Sequence, residues 1–180
     1  MSDTRETILV RLQACLKALR PGVVFSFPFG KTHRPIVTDL RGHVFARVIP
    51  QARFDAEDLP CVELITSEGT EVAVREVADD DFYMADLNVT LWGYARSGDA
   101  GTDHDAPVRR VLNALRADLI VAVEAFPYWT SAEYPEPIIR QVGLVTPVLL
   151  SSWTEPASDS ADGFLTIDYA LRYTFNKLDP

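Results

Sequence analysis

Residues 105–125 carry a one-sided helical pattern that limits what this chain can fold into. Asp105 and Pro107 are typical of a helix start. At ~1.5 Å per residue, a helix of this length extends ~30 Å, about the width of a small domain. Because only one side is apolar, the helix must lie on a sheet or another helix. The apolar stripe is Val108, Val111, Leu112, Leu115, Leu119 and Val123, and the other faces carry Arg109, Arg110, Asn113, Arg116 and Asp118.

Strict alternation over residues 165–175 gives the strongest strand signal in the chain. Apolar and polar side chains alternate there, as they do in a strand with one buried face. Residues 87–94 show the same period of two. Shorter or less regular runs predict further strands at 23–27, 44–49, 61–65 and 142–150.

The N-terminal segment predicts a second amphipathic helix. Asp3 with Glu6 resembles a capping box, and Arg20-Pro21-Gly22 ends the run. The order is then helix, strands, long helix, strands. This order predicts a single α+β domain over 1–180, with an antiparallel or mixed sheet covered on one face by two main helices. Long irregular loops are expected at 28–58 and 151–163.

Aromatic side chains in the irregular parts of the chain are candidates for a partner or oligomer interface. Loops this apolar need a partner or a covering element to keep them from water. For the stretch 126–134, packing over the sheet is the equally weighted alternative, because large aromatics are mostly buried. The candidates are Phe27, Phe29, Phe45, Phe54, Trp129 and Tyr134.

The net charge of −9 is spread unevenly along the chain. Residues 1–50 sum to +5, residues 51–105 to −11 and residues 106–180 to −3. Such an acidic middle repels phosphate backbones, so nucleic-acid binding is not expected. This acidic region forms either a solubilising face or a surface along which DNA passes without binding. The candidate residues for such a surface are Asp55, Glu57, Asp58, Asp79, Asp80 and Asp81.

The sequence contains none of the common catalytic or cofactor motifs. It has no nucleophile elbow, phosphate loop or dinucleotide fingerprint. The run Asp103-His104-Asp105 sits at a helix start, where adjacent side chains point apart, so it is interpreted as an exposed cap cluster. Cys15 and Cys61 are expected to be buried, inert thiols. We therefore expect no catalytic residue, no metal and no cofactor.

No apolar run approaches the ~20 residues that cross a bilayer, and residues 1–6 do not resemble a signal peptide. A cytosolic protein is the expectation from the sequence.

Five segments carry a family resemblance: the helix at 5–12, the Leu-Pro-led strand at 59–64, the strand at 87–95, the helix at 105–125 and the strand at 167–173. In pattern and order they resemble the tail terminator, or tail-completion, proteins of long-tailed bacteriophages and related prophage elements. The resemblance covers most of the chain. The segments 28–58 and 151–163 depart from it by looking enlarged.

The resemblance implies a hexameric ring that caps the tail tube, stops its polymerisation and meets the head connector. The implied partners are other copies of this chain, the tail tube protein and the connector or stopper protein, with a sheath as a further candidate. DNA would pass through an acidic lumen without specific binding. The implied location is the host cytoplasm during assembly and then the neck of the virion tail, with the tail type left open.

Three alternatives remain beside this interpretation. The chain is similar enough in pattern to fit another head–tail joining or neck protein. A small protein-binding module would expose one aromatic patch and stay monomeric. An enzyme with dispersed catalytic residues would need a deep pocket with convergent polar groups.

Overall fold

The computed structural model of the protein describes residues 4–51, 54–66, 75–76, 82–98, 107–143, 145–156 and 162–176. No helix in these ranges is both long enough and apolar enough to span a membrane. The helices and strands, in chain order, are α1 (Thr4–Lys17), β1 (Val44–Arg47), β2 (Cys61–Ile65), β3 (Arg75–Glu76), β4 (Phe82–Arg96), α2 (Val108–Ala125), β5 (Val145–Pro156) and β6 (Asp162–Asn176). Short 3-10 turns lie at Pro28–Gly30, Ala56–Asp58, Phe126–Tyr128 and Ile138–Arg140.

The strands form one mixed sheet in the order β1-β2-β4-β6-β5, and β3 pairs with one end of β4. β1 runs parallel to β2, and every other pairing is antiparallel. β4 and β6 pair along their whole length, from Phe82 opposite Asn176 to Arg96 opposite Asp162. The α+β fold with a mixed sheet is therefore confirmed.

Both helices pack on the same face of the sheet. Alternate residues of β4 and β6, such as Leu87 and Ile167, are fully buried there. The whole predicted stripe of α2 is buried with them, which confirms that the stripe faces the core. α1 lies beside α2, where the Cys15 Sγ atom is 3.7 Å from the Ala122 carbonyl oxygen.

Several sequence-based boundaries differ from the structure. Residues 151–156 were expected in a loop but continue β5, because the register shifts at a bulge between Leu149 and Ser151 and pairing with β6 then resumes. Residues 23–27 are not a strand: the segment lies outside the sheet, where a β-bridge joins Ser26 to Thr32 and the Val23 carbonyl accepts from the Ile36 N–H. α2 begins at Val108 with Pro107 in the N-cap position.

Candidate functional site

The sheet face opposite the helices carries a row of aromatic side chains, which we call the aromatic strip. Residues paired directly across strands project to the same side of a sheet. Tyr94 pairs with Phe164, while Trp92 and Trp153 both pair with Thr166, so these rings share one face. The strip crosses the sheet from β1 to β5 and consists of Phe45, Phe54, Trp92, Tyr94, Phe164 and Trp153.

The rings of the strip contact one another in sequence. Ring centroids lie 4.7 Å apart for Phe54 and Tyr94, 5.7 Å for Trp92 and Phe164, and 5.6 Å for Trp153 and Phe164. These separations fall in the range in which aromatic pairs attract. Trp153, at the end of the strip, is 52% exposed, and the others are partly exposed. The strip is thus an ordered apolar surface that water still reaches.

Glu63 of β2 lies on this face between Phe45 and Trp92 in the cross-strand register and is fully buried. Its carboxylate accepts hydrogen bonds from the Gln51 backbone N–H, at 3.0 and 3.1 Å, and from the Tyr94 hydroxyl at 3.3 Å. The Arg47 Nε atom forms an ion pair with it at 2.8 Å. A buried carboxylate needs such partners, so this network fixes residues 47–51 against the sheet. Burial, followed by the Glu63 charge, raises the pKa of Tyr94.

Several other charged residues on this face form pairs that the structure describes. Arg172 donates to both carboxylate oxygens of Asp86, at 2.8 and 3.1 Å, and Arg96 donates to Asp162 at 2.7 Å. Asp168 accepts from the Thr90 and Ser151 hydroxyls. Arg47 pairs with Glu63, so Arg47, Arg96 and Arg172 each have a carboxylate partner on this face.

Apolar side chains are exposed along β5, at one edge of the sheet. Leu150, in the bulge, is 57% exposed. Monomeric proteins usually protect edge strands with charges, and the sequence of β5 has a single charged residue, Glu155. We call this surface the β5 edge patch; it consists of Val148, Leu149, Leu150 and Trp153.

A second exposed apolar surface lies at the opposite edge of the sheet. Val48 and Ile49 follow β1 directly, and Ile49 is 77% exposed. Beside them, between α1 and β1, lies a groove of about 380 Å³ whose lining includes Gln13, Lys17 and Ala46. We call it the α1–β1 groove. The two apolar surfaces are therefore separated by the full width of the sheet.

The aromatic residues predicted to form an interface lie in different parts of the structure. Phe45 and Phe54 come together in the aromatic strip. Phe27 is partly buried against the core, with its ring 4.5 Å from that of His33, and the side chain of Phe29 lies outside the described part.

The stretch 126–134 mostly packs on the protein itself. Phe126 is buried, and Trp129 packs against the core. Tyr134 contacts the Trp129 ring at 6.2 Å and lies under the Arg11 guanidinium, 4.4 Å from it. Arg11 also donates to the Glu136 carbonyl at 2.6 Å, which ties this stretch to α1.

Three of the six residues predicted to form an acidic surface lie within the described ranges. Asp55 and Glu57 are exposed, and Asp58 is partly exposed while its carbonyl oxygen lies 2.9 Å from His43 Nδ1. The runs 79–81 and 103–105 lie outside the described residues. Within the described ranges, no group of three or more His, Cys, Asp or Glu side chains could hold a metal ion.

Asp118 has a role that the helical pattern did not reveal. It was assigned to a face of α2 away from the apolar stripe, yet it is fully buried. Its Oδ2 atom accepts from the backbone N–H groups of Val37 and Thr38, at 3.1 and 2.8 Å, and Oδ1 lies 2.8 Å from Arg34 Nη2. Asp118 therefore anchors the irregular segment before β1 to α2. No sequence motif marks it.

Four surfaces of the described protein are best suited to contact other proteins: the aromatic strip, the β5 edge patch, the exposed pair Val48 and Ile49, and the α1–β1 groove. No protein-family model matches the sequence, and no curated protein matches it either.

Proposed function

We propose that the protein is a virion assembly protein that forms a hexameric ring on the end of a phage tail tube, ends tube polymerisation and joins the tail to the head connector. The observation that carries the proposal is the pair of exposed apolar surfaces at opposite edges of one sheet. A closed ring uses heterologous contacts, in which each subunit offers two different surfaces. Two exposed apolar surfaces at opposite edges of the sheet suit the heterologous contacts of a closed ring.

The charge distribution supports the same assembly. A ring at the end of a tube must let DNA through, and the region 51–105 sums to −11. Negative charge on the lumen or its rim would repel phosphates and lower friction during passage. Arg47, Arg96 and Arg172 on the open face are each paired with a carboxylate, which weakens their attraction for phosphates. The tube protein and the connector would then bind the ring through uncharged, largely apolar contacts.

The test is tail assembly with and without this chain, together with the tube protein encoded in the same genome. Without the protein, we expect tubes of uncontrolled length that carry no heads. Wild-type protein should restore fixed lengths and joined particles, visible by electron microscopy. Normal, headed tails in its absence would contradict the proposal.

A matched pair of variants refines the experiment. Leu150→Asp places a charge in the β5 edge patch, whereas Asn113→Ala changes an exposed residue of α2. We expect the first variant to fail to cap tubes and the second to cap them normally. Light scattering of the purified protein separates the proposal from a monomeric binding module: a module would stay monomeric with or without tube ends.

A further inference from the structure

Arg11 of α1 is a buried cation with no carboxylate beside it. It is 3% exposed, and no carboxylate in the described part of the chain pairs with its guanidinium. Arg34 and Arg47, by contrast, each form an ion pair with a carboxylate. Burial lowers the pKa of Arg11, because the charge has lost hydration that the neighbouring groups do not fully replace. Buried charges in proteins are usually paired, so this unpaired cation needs an explanation.

The neighbours of the guanidinium use its donors only in part. Nη2 donates to the Glu136 carbonyl at 2.6 Å, and the planar group lies over the Tyr134 ring, 4.4 Å from the centroid. Nη1 donates to Gln141 Oε1 at 3.5 Å, which is long for a hydrogen bond. Among the described residues, buried Nε has no hydrogen-bond partner at all. The guanidinium is therefore fixed in place, while its bond on the Nη1 side is weak.

Arg11 and Gln141 both line a pocket of about 330 Å³ between α1 and the segment 134–141. This volume is near the lower end of the range for small-molecule sites. The lining also includes the Tyr134 ring and Val10, which is 47% exposed and offers apolar surface. The pocket thus combines one unpaired cation with apolar walls.

Glu6 restricts the charge that the pocket can accept. It is exposed in the first turn of α1 and is the lining residue that repels an anion. Repulsion from Glu6 grows with the charge of the ligand, so a phosphate dianion is repelled more strongly than a single carboxylate. A carboxylate also matches the planar guanidinium of Arg11, which favours charge-assisted hydrogen bonds. These residues favour a monocarboxylate over phosphate.

We propose that this pocket binds a ligand that carries one carboxylate and a short apolar chain. The carboxylate pairs with Arg11 on its Nη1 side and accepts from the side-chain amide of Gln141. The apolar chain lies against Val10 and Tyr134. The same chemistry is found in a short-chain carboxylic acid and in the last residue of a peptide. The inference does not rest on the proposed ring.

Butyrate and butyramide test the pocket, because they have nearly the same shape and differ in charge. NMR titration of the full-length, nitrogen-15-labelled protein at constant ionic strength follows the Gln141 side-chain amide and the Thr7 backbone amide, which lie at the pocket. We expect butyrate to bind about tenfold more tightly than butyramide, since its hydrogen bonds are charge-assisted. Phosphate should leave both signals unchanged. Equal binding of butyrate and butyramide, or shifts that occur only elsewhere, would overturn the inference.

A tripeptide Gly-Gly-Leu with a free C-terminus separates the two sources of the carboxylate. Tighter binding than butyrate would assign the pocket to peptide ends, and weaker binding would assign it to free acids. The amidated tripeptide is the control for either result, and it should bind about tenfold more weakly than the free peptide.

The variant Gln141→Glu gives a second test, because it places a carboxylate of the same size beside Arg11. The chain then supplies the missing partner itself, so we expect butyrate binding to be lost and Tm to rise by about 2–4 °C. Asn113→Asp makes the same chemical change at an exposed position of α2 and should keep butyrate binding within about twofold. Undiminished butyrate binding in Gln141→Glu would overturn the proposed site. A raised Tm in that variant, without any butyrate binding to the wild type, would overturn it as well.

Discussion

Gly93 of β4 lies directly against Leu115 of α2: a Cβ atom at Gly93 would sit 3.1 Å from Leu115 Cδ2. It would also sit 3.0 Å from Leu165 Cγ on β6. Gly93 has no positive φ, so the lack of space, rather than backbone conformation, calls for glycine here. This contact sets how closely α2 approaches the two central strands.

Replacing Gly93 with Ala should therefore destabilise the protein by ~1–3 kcal/mol, the usual cost of overpacking a core. Chemical denaturation with fluorescence detection measures it. The double variant Gly93→Ala/Leu115→Ala should cost less than the two single changes added together, because the close contact with Leu115 is removed while that with Leu165 remains. Strict additivity would show that Leu115 does not limit the space above Gly93.

Leu112→Ala should cost ~2–5 kcal/mol, because Leu112 is fully buried and its removal leaves a cavity under α2. Arg109→Ala, on the exposed side of the same helix, is the control and should change stability by well under 1 kcal/mol. A similar loss from both variants would contradict the assignment of Leu112 to the core and of Arg109 to the exposed side of α2.

Asp118→Ala should cost ~3–5 kcal/mol, because it leaves two backbone N–H groups and Arg34 without their acceptor. Arg34→Ala should cost about 1 kcal/mol or less, since that side chain is half exposed and the carboxylate keeps its N–H donors. Hydrogen exchange at the Val37 and Thr38 amides shows whether the loss of stability arises in the segment that Asp118 anchors. Their amides should exchange faster in Asp118→Ala, and unchanged protection there would contradict the anchoring role.

The two thiols should be unreactive in the folded protein. Burial raises the pKa of Cys61 from 9.0 to about 12, and burial also raises the pKa of Cys15. The thiolate is the nucleophile, so alkylation at pH 8 should proceed only after denaturant is added. Because the folded-state pKa is raised, this contribution to stability is complete below pH 9.0 and is lost as pH rises toward 12. Rapid alkylation of native protein would contradict the burial.

Chelator treatment should leave the melting temperature unchanged, since a structural metal would add its binding free energy to folding. Differential scanning fluorimetry with and without EDTA measures this. A clear fall in Tm would show that a metal contributes to folding, with 103–105 as the first place to look.

The parts of the fold with a clear periodicity were predictable from the sequence. The α2 stripe and the alternation in β4 and β6 follow from burial on one side, which leaves a direct trace in residue order. The end of β5 was missed because a bulge at Leu150 interrupts the alternation and Ser151-Ser152 resembles a loop. Pairing with β6 outweighs that local signal.

The candidate surfaces were predictable only in part. Phe45 and Phe54 were singled out as apolar loop residues, but sequence alone could not place them beside Trp92 and Phe164 from distant strands. The role of Asp118 depends on an irregular segment eighty residues earlier in the chain, at Thr38. Contacts of this kind depend on tertiary geometry and leave no local pattern.

The bond between Arg11 and the Glu136 carbonyl joins residues 125 positions apart, and α1 also packs on α2. During synthesis, α1 leaves the ribosome long before either of these partners exists. Its apolar face stays exposed to solvent or bound to a chaperone until residues 122–136 have been synthesised. The nascent chain is therefore most prone to aggregate over that interval, and slowing translation after residue 20 should lower the yield more than slowing it after residue 140.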